Sequence, residues 1–142
     1  MLQTAGAARA VSLDRLQPAD LNGIDVVVMG SPTHMQNVPK SVRAALASLP
    51  RANLAGTGVA AFDTSLKMWG PLMSMTAAHG LLRRLRKPGG KRLLRPETFF
   101  VKAVEDRPDG ETDLLCEGEL ERAREWAAVI LGGASRHLPR TA

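Results

Sequence analysis

The strongest pattern in the sequence is an apolar stretch that ends abruptly in a polar loop. Ile24–Met29 is apolar except for Asp25, and Gly30 and the polar segment Ser31–Asn37 follow at once. A nearly continuous apolar run is typical of a strand that is buried on both faces of a parallel sheet. Open sheets of this kind hold their ligands at the carboxyl ends of the strands. The pattern therefore predicts a strand over Ile24–Met29 and a binding loop over Ser31–Asn37.

The same design occurs again further along the chain. Gly58–Phe62 is short and apolar and precedes a polar loop over Asp63–Gly70, and Thr98–Val104 has the composition of a third strand. Weak alternation predicts one more short strand over Ala8–Leu13.

Three segments repeat apolar residues at helical spacing. The first follows Asn37 and ends at Pro50, the second runs from about Pro71 to Pro88, and the third spans about Leu115–Leu131 and ends at Gly132-Gly133. Their predicted buried faces are Val38, Val42, Ala45, Leu46 and Leu49; Leu72, Met75, Ala78, Leu82 and Leu85; and Leu120, Ala123, Ala127, Ile130 and Leu131. Strands that alternate with helices predict an open parallel α/β sheet with helices on both faces. We expect one domain, ordered over about residues 9–131, with a disordered basic tail over 132–142.

Composition narrows the class of protein. A chain of 142 residues with 44% hydrophobic content can bury a single core. The one cysteine, Cys116, excludes an internal disulfide. Met1–Ala10 lacks the basic start and apolar middle of a signal peptide, and no apolar run is long enough to span a bilayer, so we expect a cytoplasmic protein without membrane contact. His34, His79 and His137 lack the spacing of metal ligands, and we expect His79 at the edge of the core.

Three motifs resemble the flavodoxin family. Val27–His34, followed by Pro39 and an amphipathic helix, resembles the third-strand region of the Gly-Ser-Pro-Thr-His branch of that family. Ala60–Thr64 resembles the next strand and loop, and Thr98–Val101 with Gly118–Ala123 resembles the last strand and helix. The resemblance covers about residues 9–131 and implies a flavodoxin-like fold, non-covalent FMN, and electron transfer or small flavin-dependent reductase chemistry.

The resemblance also implies which residues would face the isoalloxazine ring. They lie in two loops and comprise Ser31, Pro32, Thr33, His34, Met35 and Asn37, together with Asp63, Thr64, Trp69 and Gly70. Structural alternatives stay open for the individual residues. Trp69 either stacks on the ring or packs on the following helix, and Asp63 and Thr64 either orient the ring or cap the next turn. No side chain stands out as a catalytic acid, base or nucleophile.

One family feature is missing from these residues. Flavodoxins hold the FMN phosphate in a Ser/Thr-x-Thr-Gly-x-Thr loop after their first strand, and the sequence contains no such segment. The chain is expected to begin at the second strand of the fold, which would leave one edge of the Ile24–Met29 strand unpaired. An upstream start, a fragmentary flavodoxin, or another element that fills the gap, such as a dimer covering the edge, would each account for this.

A basic segment suggests a second class of function. The chain has a formal charge of +5, and seven cations lie within 13 residues, namely Arg83, Arg84, Arg86, Lys87, Lys91, Arg92 and Arg95. Nucleic acid is a weaker interpretation because no aromatic residue interleaves them, and a solvated helix end is the simplest one. These charges also suit an acidic redox partner or the steering of an anionic nucleotide. The alternative function is therefore a degenerate flavodoxin-like module without FMN that uses this face for an acidic protein or nucleic acid.

Overall fold

A computed structural model describes residues 8–32, 38–48, 54–67, 77–106, 109–110 and 114–137. Four strands form within these ranges: β1 (Val26–Pro32), β2 (Gly58–Leu66), β3 (Lys91–Arg92) and β4 (Glu97–Val101). The α-helices are α1 (Lys40–Ser48), α2 (Ala77–Arg86) and α3 (Glu119–His137). Short 3-10 turns span Leu13–Arg15, Pro18–Leu21 and Val104–Asp106.

The sheet is parallel and β2 is its central strand. One edge of β2 pairs with β1, from Val26 opposite Gly58 to Pro32 opposite Thr64. The other edge pairs with β3 near its start and with β4 near its end, so these two short strands share one position in the sheet. Among the described residues, no strand pairs with the outer edge of β1. The predicted parallel α/β architecture is confirmed.

The main core lies between one face of the sheet and α2. Val59 and Ala61 on β2 are at most 1% exposed and pack with Met29 of β1. The buried side chains of α2 are Ala77, Ala78, Leu81, Leu82 and Leu85. Val38 joins this core, and Val42 and Leu46 of α1 pack against it, so α1 covers the same face. Leu81 is buried although the sequence pattern did not place it on the buried face of this helix. Leu49, Leu72 and Met75, which were predicted to be buried, lie outside the described residues.

The opposite face of the sheet is covered by α3. The rings of Phe62, Phe99 and Trp126 meet in three edge-to-face contacts, with centroids 5.8–6.0 Å apart. Ala127 and Ile130 are buried as predicted. Leu120 is 49% exposed, so its predicted burial is wrong. Helices therefore flank both faces of the sheet, and each face has its own apolar cluster.

An ionic cluster fixes α3 to β4. Arg122 binds Glu119 within α3 at 2.7 Å and reaches Glu97 of β4 at 2.8 Å. Glu119 in turn accepts the backbone N–H of Phe100, and the Arg122 guanidinium lies over the Phe99 ring. Charge-assisted hydrogen bonds of this kind are stronger than neutral ones. The cluster therefore sets the position of the start of α3 on the sheet.

Several predicted element boundaries are wrong. Residues 8–12 form no strand, because no described strand pairs with them, and Arg9 instead binds Asp20 beside the 3-10 turn at Pro18–Leu21. The last helix begins at Glu119 and continues through Gly132 and Gly133 to His137, so residues 132–137 are helical rather than a disordered tail.

Two further differences concern strands, and one concerns a single residue. The predicted third strand, Thr98–Val104, ends earlier, at Val101, and β3 was not predicted at all. His79 is exposed rather than at the core edge, because it points away from the buried side of α2.

A search of the described helices for an apolar segment long enough to cross a bilayer finds none.

Candidate functional site

The predicted site residues that the structure describes lie side by side at the carboxyl edge of the sheet. Ser31 is paired with Asp63, and Pro32 is paired with Thr64, as β1 and β2 run in parallel. The sequence places these four residues in loops, but each still belongs to a strand, because β1 continues to Pro32 and β2 to Leu66. The register therefore brings together two segments that are 32 residues apart in the sequence.

Asp63 holds the start of α2. Its side chain is fully buried, and Oδ2 accepts a hydrogen bond of 2.9 Å from the backbone N–H of Ala78, the second residue of α2. The first N–H groups of a helix have no partner within the helix, and a carboxylate also interacts favourably with the positive end of the helix dipole. Asp63 thus supports the site from behind, and a contact between Asp63 and the ring stays a prediction.

Ser31 is also buried, at 5% exposed, and its Oγ donates to the carbonyl oxygen of Pro32 at 3.0 Å. The accessible side chains at this edge are therefore its neighbours. Pro32 is exposed and Thr64 is half-buried. Beyond them, Leu66 is 47% exposed and Lys67 is exposed at the end of β2. The edge offers an apolar ring at Pro32, a hydroxyl at Thr64 and a cation at Lys67.

The remaining predicted site residues lie outside the described parts of the chain. They are Thr33, His34, Met35, Asn37, Trp69 and Gly70. Their roles stay predictions.

An aromatic cluster that the sequence reading did not single out lies next to these strand ends. Phe62 precedes Asp63 on β2, and its ring packs against Trp126 of α3 and Phe99 of β4. The indole N–H of Trp126 is buried and has no hydrogen-bond partner among the described residues. Helical spacing with Ala123, Ala127 and Ile130 was the signal that would have placed Trp126 on the buried side of α3.

Several exposed acidic side chains follow β4 along the chain, beyond its carboxyl end. The chain leaves β4 at Val101 and returns at Leu115, which bridges back to Val101. Glu105, Asp106 and Asp109 are exposed within this excursion, and Glu117 is exposed just after it. No group of three metal-ligating side chains occurs among the residues for which coordinates are described. The described segment after β4 is thus more acidic than the basic net charge of the chain suggests.

Comparison with known proteins identifies the fold. No protein-family model and no curated protein sequence matches the chain. Solved structures with a similar fold include oxidised flavodoxin 1 from Bacillus cereus, with a TM-score of 0.59 and 16% identity over 89% of this chain and 75% of the flavodoxin.

Two further structures have the same kind of fold. The metal-soaked Flv1 flavodiiron core from Synechocystis sp. PCC6803 matches with a TM-score of 0.55 and 15% identity over 93% of this chain, which spans only 29% of that protein. The apo form of an NADH:FMN oxidoreductase, EMOB, matches with a TM-score of 0.51 and 16% identity over 92% of this chain and 72% of its own. The chain therefore has a flavodoxin-like fold, and the predicted fold class is confirmed.

Proposed function

We propose that this chain is a flavodoxin-like protein that binds FMN at the carboxyl ends of β1 and β2 and serves in electron transfer or flavin-dependent reduction. The observation that carries the proposal is the register, which makes Pro32 and Thr64 neighbours at the edge of the sheet. Ligands of open α/β sheets bind at this edge. The fold that the chain shares with a flavodoxin and with an NADH:FMN oxidoreductase supports the same interpretation.

The described residues suit the ring of a flavin. Pro32 presents an exposed apolar surface, and the half-buried Thr64 carries a hydroxyl that can both donate and accept hydrogen bonds. Apolar contact with a few placed polar groups is the usual composition of a cofactor site. Asp63 and Ser31 are buried behind this surface and keep the strand ends and α2 in place.

The same residues do not provide for the phosphate. No Ser/Thr-x-Thr-Gly-x-Thr segment occurs in the 142 residues. The basic residues from Arg83 to Arg95 lie at the end of α2 and in the β3 region, away from the carboxyl ends of β1 and β2. We therefore propose that contacts to the ring supply most of the affinity. When bound, the flavin would supply the redox chemistry, and the chain would contribute an apolar surface at Pro32 and a hydroxyl at Thr64 that orients the ring.

A flavin titration tests the proposal. Free FMN is fluorescent, so quenching on addition of the purified chain would measure binding. We expect Thr64→Val to weaken binding about fivefold, because one hydrogen bond contributes on the order of 1 kcal/mol. Thr57→Val is the matched control, since Thr57 immediately precedes β2 at its amino end and is 7% exposed. Equal losses in both variants would contradict a site at the carboxyl edge.

The choice of flavin tests the second part of the proposal. If the ring carries the affinity, riboflavin should bind within about threefold of FMN, which corresponds to less than 1 kcal/mol for the phosphate. Much tighter binding of FMN would contradict this and would require a phosphate site elsewhere in the chain. Failure of both flavins to bind would overturn the proposed function.

A further inference from the structure

The charges of this protein are segregated along the sequence. Between Thr64 and Pro96 the chain has eight basic residues and no acidic residue, although it has 14 acidic residues in all. Six of the basic side chains are exposed around the end of α2 and the β3 region. We call this the basic surface, and it consists of Arg83, Arg86, Lys87, Lys91, Arg92 and Arg95.

The fold holds the two parts of the basic surface together. The last turn of α2 closes with hydrogen bonds from Gly90 N–H to the Leu85 carbonyl and from Gly89 N–H to the Arg86 carbonyl, and Gly89 has a φ of 104°. This is the Schellman motif, which ends a helix with a glycine in a left-handed conformation. Lys91 then donates its N–H to Thr57 and enters β3. The end of the helix and the basic strand are thus separated by a single rigid turn.

The cations of the basic surface have no anionic partner within the described structure. The ion pairs found there join Arg9 to Asp20, Arg122 to Glu97 and Glu119, and Arg124 to Glu121, and none involves the basic surface. Like charges that neighbour one another on a surface repel, and none of these cations has a carboxylate within ion-pair distance among the described residues. A partner that supplies negative charge would relieve this repulsion.

The basic surface lies near the amino ends of the strands, whereas the candidate flavin site lies at their carboxyl ends. The start of α2 is bound to Asp63 near the carboxyl end of β2, whereas the chain after α2 pairs Lys91 with Gly58 at the start of β2. The strand from Gly58 to Thr64 separates the two edges by about 20 Å. A partner on the basic surface would therefore leave the candidate flavin site open. An acidic partner would also be repelled by exposed Glu105, Asp106 and Asp109, which follow the carboxyl end of β4.

We propose that the basic surface docks a carboxylate-rich segment of a partner protein, at the amino-terminal edge of the sheet and independently of the flavin site. Four of its six cations are arginines, whose planar guanidinium groups bind carboxylates through two parallel hydrogen bonds. The partner is held beside the protein rather than over the flavin, so the surface serves for tethering and not for electron exchange.

The aromatic residues favour a protein partner over a nucleic acid. Binding of single strands relies on exposed aromatic rings that stack on bases. Among the described residues, the aromatic side chains of Phe62, Phe99, Phe100 and Trp126 are each buried or half-buried, and none belongs to the basic surface. Recognition of a duplex places a helix or a two-stranded ribbon in a groove, whereas the basic surface is the end of one helix beside a two-residue strand.

Binding of poly-L-glutamate to the purified full chain tests the proposal. Fluorescence anisotropy of the labelled polymer would give its affinity at low and at moderate salt. We expect Lys91→Glu/Arg92→Glu to weaken binding at least about tenfold, since charge reversal replaces attraction with repulsion. The matched control is Lys40→Glu/Arg43→Glu, which makes the same change in net charge on exposed positions of α1. Lys87→Glu/Arg95→Glu repeats the test outside β3, in case the first variant does not fold.

The outcomes separate the alternatives. Loss confined to the variants of the basic surface, with an affinity that FMN leaves unchanged, supports the proposal. Equal loss in the α1 control would show attraction to net charge alone and would overturn it. Tighter binding of a DNA duplex that depends on Lys91 and Arg92 would replace the protein partner with a nucleic acid. Because the readout does not use the flavin, failure of FMN binding would leave this proposal standing.

Discussion

The ring of Phe62 lies directly against Gly30, the residue opposite it on the neighbouring strand. A Cβ atom added to Gly30 would lie 2.2 Å from Cζ of Phe62 and less than 3 Å from two more ring atoms. Phe99 and Trp126 pack against the same half-buried ring edge to face, which limits how far it can move aside. Gly30 comes immediately before Ser31 and Pro32, so the packing of this glycine also positions the strand end that carries the candidate site.

We expect Gly30→Ala to lower the free energy of unfolding by about 1–3 kcal/mol, because the added methyl group overlaps the Phe62 ring and forces the ring or the strand to shift. Urea denaturation followed by tryptophan fluorescence would measure it, since Trp126 belongs to the affected cluster. A variant as stable as the original chain would show that the Phe62 ring moves freely.

The last helix provides the opposite prediction for a glycine. Gly132 lies within α3, and a Cβ atom there would meet nothing within 4 Å. Alanine in a helix interior is favoured over glycine by about 0.5–1 kcal/mol. Gly132→Ala should therefore raise the free energy of unfolding by about that amount. A loss of stability would indicate that the helix ends before Gly132, as the sequence pattern predicts.

Arg122 should contribute far more to stability than its neighbour Arg124. Arg122 joins Glu97 and Glu119, and the Glu119 side chain is only 9% exposed. Its removal leaves a buried carboxylate without its cation, and we expect Arg122→Ala to cost about 1–3 kcal/mol, less than a fully buried pair because Arg122 is partly solvated. Arg124→Ala is the control, since its pair with Glu121 is more than 60% exposed on both sides and should cost under about 1 kcal/mol. Equal costs in a thermal or urea unfolding series would contradict the special role of the Arg122 cluster.

The sequence predicted the elements of this fold better than their ends. The apolar run Ile24–Met29 does contain a strand, but the strand begins at Val26 and continues to Pro32 because its backbone pairs with β2 as far as Thr64. Its predicted burial on both faces is wrong, since Val28 is 44% exposed. Pairing between distant segments has no signature in the side chains of Ser31 and Pro32. For the same reason β3 was missed, since Lys91 and Arg92 form a strand only through their neighbours Gly58 and Val59.

The sequence predicted where the candidate site lies, but not which of its side chains are buried and which are accessible. The positions Ser31, Pro32, Asp63 and Thr64 meet at one edge, as a parallel sheet requires. The burial of Asp63 could not be predicted, because it depends on the packing of α2 and on a hydrogen bond to Ala78, a residue 15 positions away. Polar residues after a strand thus indicate an edge site without separating those that face a ligand from those that support the backbone.

Asp20 offers a test by titration. The backbone N–H of Gln17 and the guanidinium of Arg9 hold the pKa of Asp20 below the ordinary value of an aspartate. A lowered pKa in the folded state means that the ionised group stabilises the 3-10 turn at Pro18–Leu21 above the ordinary aspartate pKa of ~3.9, and that this contribution disappears as the pH falls through the folded value. NMR titration should find the Asp20 pKa low and find it raised in Arg9→Ala. An Asp20 pKa that Arg9→Ala leaves unchanged would exclude the guanidinium as a cause.

The outer edge of β1 gives a prediction about association. Among the described residues no strand pairs with this edge, and Val28 beside it is 44% exposed. No charged residue occurs in Val26–Pro32, although charges are a common protection of exposed edges. Two copies of one strand can pair in antiparallel fashion about a two-fold axis, which would extend the sheet across both copies.

We therefore expect the chain to self-associate through β1, and Val28→Lys to suppress this association by placing a charge beside the pairing edge. Light scattering after size-exclusion chromatography, over a series of concentrations, should find a mass that rises above 15.2 kDa for the original chain. The mass of Val28→Lys should stay at about 15.2 kDa at every concentration. Val129→Lys is the matched control, because Val129 is 60% exposed on α3 and lies off the edge, so this variant should associate as the original chain does. An original chain that keeps the mass of one copy at every concentration would show that the edge is not a contact between copies, and equal suppression by Val129→Lys would move the contact from the edge of β1 to the α3 face.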